Sequence, residues 1–559
     1  MRCSAFLKSG QPWVWLTAGA VSLSLISVLG LLLLIGWKGL NYFWPAPLYQ
    51  WQDAQGSKLI GQIYQRSSIS LDNISDPQRK WSQEIIEKGE VERLSIKVAN
   101  RDLYQRDFIS VLAPDLKDQS QPENLAVFER TRGGDFFGTP IAVMVNGEKQ
   151  TAQPLSVTIQ ESIERANTAR ELIDALVHND LHDIGKQLAS LQKQRAALQK
   201  SASAKLDSLS EEQQAQIAQF DQQQKQLQTQ FKQTEQAIFE WQDQLSKSQI
   251  LVKDMAGETT PLPLDTVLDA WYPNQMTFFE KLQHWGVQVK HFLMDSPRES
   301  NSEGGVFPAI FGTVLLVILM SVVVMPLGVM AAIYLHEYSG NSTLTKLIRI
   351  AVVNLAGVPS IVYGVFGLGF FVYTVGSSID QIFYSDTLPT PTFGTPGLLW
   401  SAMTLAILTL PVVIVATEEG LARVPNSVRH GSYALGATKF ETLWRITLPM
   451  VSPAIMTGLI LAVARAAGEV APLMLVGVVK LAPSLPIDGD FPFVHLERKF
   501  MHLGFHIYDV GFQTPNIEAA RPLVFATSFL LITVVVGLNI TAITIRNNLR
   551  EKFKTLGND

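Results

Sequence analysis

The sequence predicts a mainly α-helical membrane protein with six spanning helices and a β-rich, then coiled-coil, insert between the first and second. Three observations lead there. Mean hydropathy is only +0.15, with 47% hydrophobic and 17% charged residues. That is too polar for a chain embedded throughout, and it suits a lipid-embedded part joined to a large water-soluble one. Six apolar runs reach the roughly 20 residues a helix needs to cross a bilayer, and residues 164–252 form a polar stretch almost free of glycine and proline.

The expected spans are 14–35, 307–335, 347–375, 398–416, 452–479 and 522–545. The second and fifth are long and contain Pro326 and Pro472, which predicts tilt or a kink. The first run exceeds the roughly 7–15 residues of a signal-peptide core, and no A-x-A site follows it. It reads as a retained anchor, with Trp37, Tyr42, Trp44, Tyr49 and Trp51 as an interfacial aromatic belt.

Charge sets the expected orientation, because short loops rich in Lys and Arg stay in the cytoplasm. Arg2 and Lys8 precede span one, and Lys346 and Arg349 follow span two. Arg423, Arg429, Lys439 and Arg445 follow span four, and Arg546, Arg550, Lys552 and Lys554 follow span six. Between spans three and four stand Asp380 and Asp386 with no basic residue. Both termini are thus expected inside and the insert, from residue 38 to 302, outside.

The insert divides in two. Strand alternation runs through Val91, Leu94, Ile96 and Val98. Ile141, Val143 and Val145 lead into Asn146-Gly147, and Leu155, Val157 and Ile159 read as the return strand of a hairpin. From 164 the pattern becomes helical. Ile217, Phe220, Gln224, Leu227, Phe231, Thr234, Ile238, Trp241 and Leu245 step by three and four, as do Ile184, Leu188, Leu191, Arg195 and Leu198. The registers slip by one residue where they meet, and Ser210 with Gln213 can form a capping box. An antiparallel hairpin with arms of roughly 50 Å follows; one continuous helix with a slipped register is the alternative. The apolar seam is thin and is expected to pack on a partner or on the β part.

The net charge of −5 points to no nucleic-acid partner. The single cysteine, Cys3, excludes a disulfide framework and a cysteine metal site. No cofactor or catalytic group is expected, and the chain has no G-x-x-x-x-G-K-[ST] phosphate loop with which to use ATP itself.

The connection between spans four and five is unusually structured for a loop. It contains Glu418-Glu419-Gly420, Val424-Pro425, Tyr433-Ala434-Leu435-Gly436-Ala437 and Ile446-Thr447-Leu448-Pro449. Pro425 suits a helix entry, and Gly436 suits a left-handed stop. Phe440, Leu443, Trp444 and Thr447 would give a second helix one face, and Pro449 would restart the chain into span five. A plain interfacial anchor is the bland alternative.

Gly436 followed by Ile446-Thr447-Leu448-Pro449 resembles the EAA loop of ABC importer permeases, which docks on an ATPase subunit. The family's Glu-Ala-Ala positions are His430-Gly431-Ser432 here. Pro359-Ser360-Ile361-Val362-Tyr363-Gly364, Ala416-Thr417-Glu418-Glu419, Val424-Pro425-Asn426-Ser427 and Ala464-Arg465-Ala466-Ala467-Gly468-Glu469-Val470-Ala471-Pro472-Leu473 look like the PstA-type permeases of phosphate importers. The likeness covers roughly residues 300–550. It implies a six-span permease of the ABC importer type in the cell inner membrane; the insert lies outside the likeness, and the loop charges alone place it on the periplasmic side. The implied partners are an ABC ATPase subunit, a PstC-like sister permease, a periplasmic phosphate-binding protein and the lipid bilayer. On this division residues 1–37 hold the first span, 38–163 the β-rich insert and 164–252 the coiled-coil hairpin. Residues 253–305 form a linker, 306–550 the transmembrane domain with its coupling loop at 418–449, and 551–559 a cytoplasmic tail.

Arg465 and Glu469 stand four apart in an apolar run, expected on one helix face near mid-membrane. Intramembrane charges cost about 2.5–3.5 kcal/mol each and commonly mark a pathway. An arginine there would offer a dehydrated anion a charge-assisted contact, and Glu469 would keep it from binding too tightly. A structural ion pair is the alternative. Ser360 and Tyr363 would line the same route, or simply bond across helices. The expected coupling residues are Glu418, Glu419, His430, Gly436, Ala437, Leu448 and Pro449. Competing readings are a permease for molybdate or sulfate, a sensor with an external ligand domain, and a proton-coupled transporter, although no inverted repeat is visible.

Overall fold

The computed structural model describes residues 11–53, 56–74, 83–145, 147–150, 154–204, 211–298, 303–340, 342–385, 388–514 and 517–555. Arg2, Cys3, Lys8, Asn146, Ser210 and Asp386, all used above, lie outside them. The chain divides into two compact units, Met1–Trp44 with His284–Asp559, and Pro45–Gln283.

Among the described residues, the first unit contains six helices long and apolar enough to cross a membrane: Trp13–Asn41, Phe307–Tyr338, Ser360–Phe383, Leu398–Ala422, Lys439–Ala466 and Ala520–Asn548. Two differ from expectation. The apolar run that begins at 347 is not one helix. Thr343–Leu355 ends before Gly357, and a new helix starts at Ser360. Pro359 supplies no N–H and disfavours helical geometry at Val358, so the helix cannot pass through. The fifth span is displaced toward the N-terminus. It begins at Lys439, where Thr438 caps it, and stops at Ala466 instead of running on to 479. Pro472 therefore lies outside the span, heading the short helix Leu473–Val476, whereas Pro326 sits inside the helix Phe307–Ile333.

The fourth span is the hub of this unit. Its Leu398, Ala402, Leu405, Ala406 and Val413 form one core with Leu316, Met320 and Val324 of the second span and Ala462, Val463 and Ala466 of the fifth. Lipid gives apolar helices no hydrophobic reason to associate, so close approach through small residues must do so. Gly328 packs on Val413, Gly420 on Val451 and Ala454, and Gly458 on Ala416. The first span touches the sixth through Gly36 against the Phe529 ring and Gly39 against the Phe525–Ala526 backbone. Lys38 lies over the Phe525 ring at 5.3 Å.

Between spans five and six runs a long structured connection. Its segment around Asp488 is held by Arg498 at 2.5 Å and His495 at 2.9 Å. Burial opposes ionisation of Asp488, but the Asp490 N–H, Arg498 and His495 outweigh it and hold the carboxyl down to about 2. Farther along, Lys480 reaches the buried Asp509 at 3.0 Å. Burial pushes both His502 and His506 down to about 4, so both are neutral at physiological pH.

The second unit is built on two antiparallel sheets. The first has the order β4–β3–β2–β1–β5: Phe108–Leu112, Glu90–Lys97, Lys58–Ser70, Tyr49–Gln52 and Lys117–Ser120. The second has the order β10–β9–β7–β6–β11: Thr259–Pro263, Gln249–Lys253, Phe136–Val145, Ala126–Arg130 and Val267–Trp271, with the two-residue β8, Glu148–Lys149, beside β7. Alternation assigns the faces of the second sheet. Phe128 and Phe136 pack with Ile159, Ile163 and Ala166 of the helix Leu155–Ala175, while Val127 and Phe137 pack with Leu48 and Ile60.

Two expectations are corrected here. Leu155, Val157 and Ile159 do not form a return strand; they open the helix Leu155–Ala175, with Pro154 at its N-cap. Leu155 and Ile159 also fit a helical step of four, and Val157 is exposed. Tyr49 and Trp51 leave the aromatic belt for β1. They stack at 5.4 Å, and Trp51 is buried in the sheet core.

From Leu155 the chain stays helical through a π-helical turn at Leu176–Leu181 and on through His182–Ala204. It returns as Glu211–Lys247. Arg195 meets Asp221 across the two arms at 3.0 Å, an antiparallel pairing. Ile217, Phe220, Gln224, Leu227, Phe231 and Thr234 are half-buried at steps of three and four, and Ile238 is buried.

A Cβ at Gly39 would lie 2.9 Å from the Ala526 Cα, against backbone that has no rotamer by which to retreat. Gly39→Val is expected to lower stability by about 1–3 kcal/mol, read by thermal unfolding in detergent. Gly30→Val, with nothing within 4 Å, is the matched control and should be neutral.

Candidate functional site

The connection at 418–449 folds as two short helices. Pro425 caps Asn426–Ala434. Gly436 ends it at φ +86°, with its N–H on the Tyr433 carbonyl at 3.0 Å and the Ala437 N–H on the Ser432 carbonyl at 3.2 Å. This is the left-handed stop for which glycine is suited. Thr438 then opens the second helix with a capping box: its hydroxyl accepts the Glu441 N–H at 3.2 Å, and Glu441 accepts the Thr438 N–H at 2.8 Å. The hydroxyls of Ser432 and Thr442, both buried, meet at 2.8 Å and clamp the two helices together.

What the pair presents outward is apolar. Leu435 is 91% exposed, and Phe440 and Trp444 stack at 6.3 Å with both rings mostly exposed. Leu443 and Thr447, expected on the same face, turn inward instead. Pro449 does not restart the chain. The helix runs unbroken from Lys439 to Ala466 through a π-helical turn at Leu443–Thr447, where the Leu448 N–H reaches the Leu443 carbonyl. The extra residue in that turn accommodates the missing proline N–H just beyond it.

The remaining loop residues divide. His430 and Glu419 are exposed, and Glu419 pairs loosely with Arg423 at 3.8 Å. Ala437, Leu448 and Pro449 are half-buried. Glu418 faces back into the unit and takes Arg349 at 3.2 Å.

Beneath the two helices lies a polar knot that sequence reading missed. Glu337, in the π-helical turn Tyr334–Tyr338 that ends the second span, accepts from Arg429 at 3.0 Å. The two side chains are only 11% and 15% exposed. The Glu337 carbonyl accepts from Lys439, whose ammonium also lies over the Tyr338 ring at 4.5 Å. Arg429 holds the Leu421 carbonyl at 2.9 Å as well. The available signal was one acidic residue closing an apolar span, in a chain whose neighbouring loops are basic.

The second group of candidates lies where two helices break. Arg465 is in the last turn of Leu448–Ala466 and Glu469 is past its end, so the pair does not share a continuous helix face. Arg465 also stands at the far end of the span, away from its middle. Its Nε nevertheless reaches the Glu469 carboxylate at 3.6 Å, both side chains being partly exposed. An arginine at a helix C-terminus is also favoured by the helix dipole.

The other break, at 356–359, faces this one. Gly364 packs directly on Pro472, where a Cβ would lie 2.7 Å from the proline Cα. Tyr363 is buried, lies within electrostatic range of Arg465, and donates its hydroxyl to the Leu355 carbonyl across the break at 2.5 Å. Its hydroxyl proton is thereby committed to backbone. Ser360, half-buried, begins the helix after the break. Non-helical backbone at membrane depth is tolerated only inside protein or against a water-filled cavity. Two facing breaks with an Arg–Glu pair beside them suit a polar route for an anion.

Gly436→Val would force a β-branched residue into the left-handed region. A loss of about 1–3 kcal/mol is expected, with the thermal midpoint of the solubilised protein as the readout.

Comparison with known proteins identifies the family. The family described as binding-protein-dependent transport system inner membrane component matches residues 324–554. The probable ABC transporter permease protein YqgH of Bacillus subtilis is 34% identical over 207 residues, 36% of this chain and 63% of that protein. The phosphate transport system permease protein PstA 1 of Mycobacterium tuberculosis is 39% identical over 175 residues, 31% of this chain and 52% of that protein. PstC of Xylella fastidiosa is 33% identical over 221 residues, 38% of this chain and 67% of that protein. The chain thus spans about half to two thirds of the length of these curated relatives. With membrane helices, helix–turn–helix loop and sequence in agreement, the chain belongs to the family of binding-protein-dependent transport system inner-membrane components.

Proposed function

We propose that this chain is a permease subunit of an ATP-driven importer that moves inorganic phosphate across the inner membrane. One observation carries the reading: the loop between spans four and five is a clamped pair of helices with a bare apolar rim, Leu435, Phe440 and Trp444. A connector that only anchored the fold would have no need of a capping box, a glycine stop and a buried Ser432–Thr442 clamp. A surface that receives a separate ATPase subunit needs all three, because a docking helix must move as one body. His430, Glu419 and Gly436 are exposed along the same connection. Phosphate as cargo is supported by the names of the relatives PstA 1 and PstC.

Arg465 binds the dehydrated anion as a charge-assisted donor, and Glu469 competes for the guanidinium so that the anion can leave. Ser360 offers a neutral donor, while Tyr363 braces the backbone at the break. Both termini face the cytoplasm and unit Pro45–Gln283 faces the periplasm, where a phosphate-binding protein delivers the cargo. A PstC-like sister permease completes the pore.

Arg465→Gln is expected to abolish phosphate uptake in a complex that still assembles and retains its ATPase subunit. In the single variant Glu469 loses its partner, so the double variant Arg465→Gln, Glu469→Gln separates the roles by removing both charges. Continued loss of uptake in a stable double variant supports the pathway; recovered uptake reduces Arg465 to packing. Stimulation of the ATPase by sulfate or molybdate, and not by phosphate, would correct the cargo. Orientation is read independently by replacing Cys3 with serine and introducing a cysteine at the exposed Gln228. Labelling of intact spheroplasts by an impermeant maleimide is expected, and protection would reverse the topology.

A further inference from the structure

The loop helices do not rest on the membrane helices evenly. Among the described contacts, two of their cationic side chains, Arg429 and Lys439, converge on the end of the second span. Arg429, from the first loop helix, takes the Glu337 carboxylate at 3.0 Å, and Lys439, from the start of the second, takes the Glu337 carbonyl. One residue is thus gripped from both halves of the loop, through its side chain and its main chain. His336 adds a contact to the same carboxylate at 3.2 Å.

We propose that Glu337 is the positioning residue through which displacement of the docking helices reaches the second span. The inference rests on the importer reading above. The fifth span needs no such link, because the second loop helix continues into it. The fourth is tied through the Leu421 carbonyl, held by the same Arg429. The second span has no covalent neighbour in the loop, so its response must pass through contacts. The second and fourth spans meet in the core they share with the fifth, with Leu316, Met320 and Val324 against Ala402, Leu405 and Val413. Delivering the loop's motion to both at once moves that core as a block instead of shearing it.

Arg349 extends the device. It reaches Glu418 of the fourth span at 3.2 Å and the Leu335 carbonyl of the second at 3.4 Å. The helix Thr343–Leu355, which leads to the break beside Tyr363, is therefore tied to the same two ends. Motion collected at Glu337 has a connected route to the neighbourhood of Arg465. A low-dielectric site makes the carboxylate costly to leave alone, so Glu337 and Arg429 stay together as the loop moves.

The test uses the whole importer in proteoliposomes, with inorganic phosphate and its binding protein, and reads the ratio of ATP hydrolysis with and without the loaded binding protein. Glu337→Ala is expected to leave the ATPase subunit bound while the ratio falls toward one, the value for hydrolysis that no longer responds to the loaded binding protein. The charge exchange Glu337→Arg, Arg429→Glu is expected to recover much of it. A purely packing residue would alter assembly and leave the ratio alone. An unchanged ratio in assembled Glu337→Ala overturns the inference. If Glu337→Ala fails to assemble, the exchange decides: assembled and responsive supports it, whereas assembled and unresponsive, or unassembled, overturns it. An unaltered chain that shows no phosphate-stimulated hydrolysis overturns the importer reading instead, so the two failures are distinct.

Discussion

Backbone packed against small residues around the fourth span is what the membrane unit depends on. Lipid competes with every apolar contact, so Leu, Val and Ile alone give spans two, four and five no reason to choose one another. Gly328, Gly420 and Gly458 let the helices come within reach of dispersion and hold them in one register. The first span shows the contrast. Gly36 and Gly39 join it to the sixth, while residues 13–31 of the same helix have exposed side chains throughout.

On that rigid centre the unit places its irregular features at two levels. At one end of spans two, four and five, the ion pairs of Glu337, Arg429, Arg349 and Glu418 tie helix ends to the docking loop. Elsewhere the breaks at 356–359 and 467–472 meet, and Arg465 pairs with Glu469 beside them. Each break leaves backbone groups without helical partners, and burying such groups is tolerated only when something polar accompanies them. The Tyr363 hydroxyl on the Leu355 carbonyl is one such accommodation. The helix Thr343–Leu355 connects the two levels, since Arg349 engages the first and Leu355 borders the second.

Much of this was legible in residue patterns. Apolar run length announced the number of spans, because a bilayer imposes its own thickness. Gly436, Pro425 and the region of the loop were visible because turn chemistry is local. The errors share a cause. The run from 347 looked like one span because hydropathy does not register that Pro359 breaks the backbone. Leu155, Val157 and Ile159 looked like a strand because five residues fit both periods. Tyr49 and Trp51 looked interfacial because an aromatic residue beside a membrane helix serves equally well in a sheet core.

By itself, then, the sequence determined what depends on neighbours along the chain: the spans, the glycine stop, the strand alternation of Val91, Leu94 and Ile96, and a family likeness carried by contiguous motifs. The tertiary structure alone decided what depends on residues far apart. Glu337 and Arg429 are separated by two whole spans, and Gly364 and Pro472 by more than a hundred residues, so no periodicity in either segment encodes their meeting. Even Arg465 and Glu469, four apart, belonged to this second class. Their pairing survived, but on a helix end and its following turn, because Ala467-Gly468 ends the helix before Glu469 can join it.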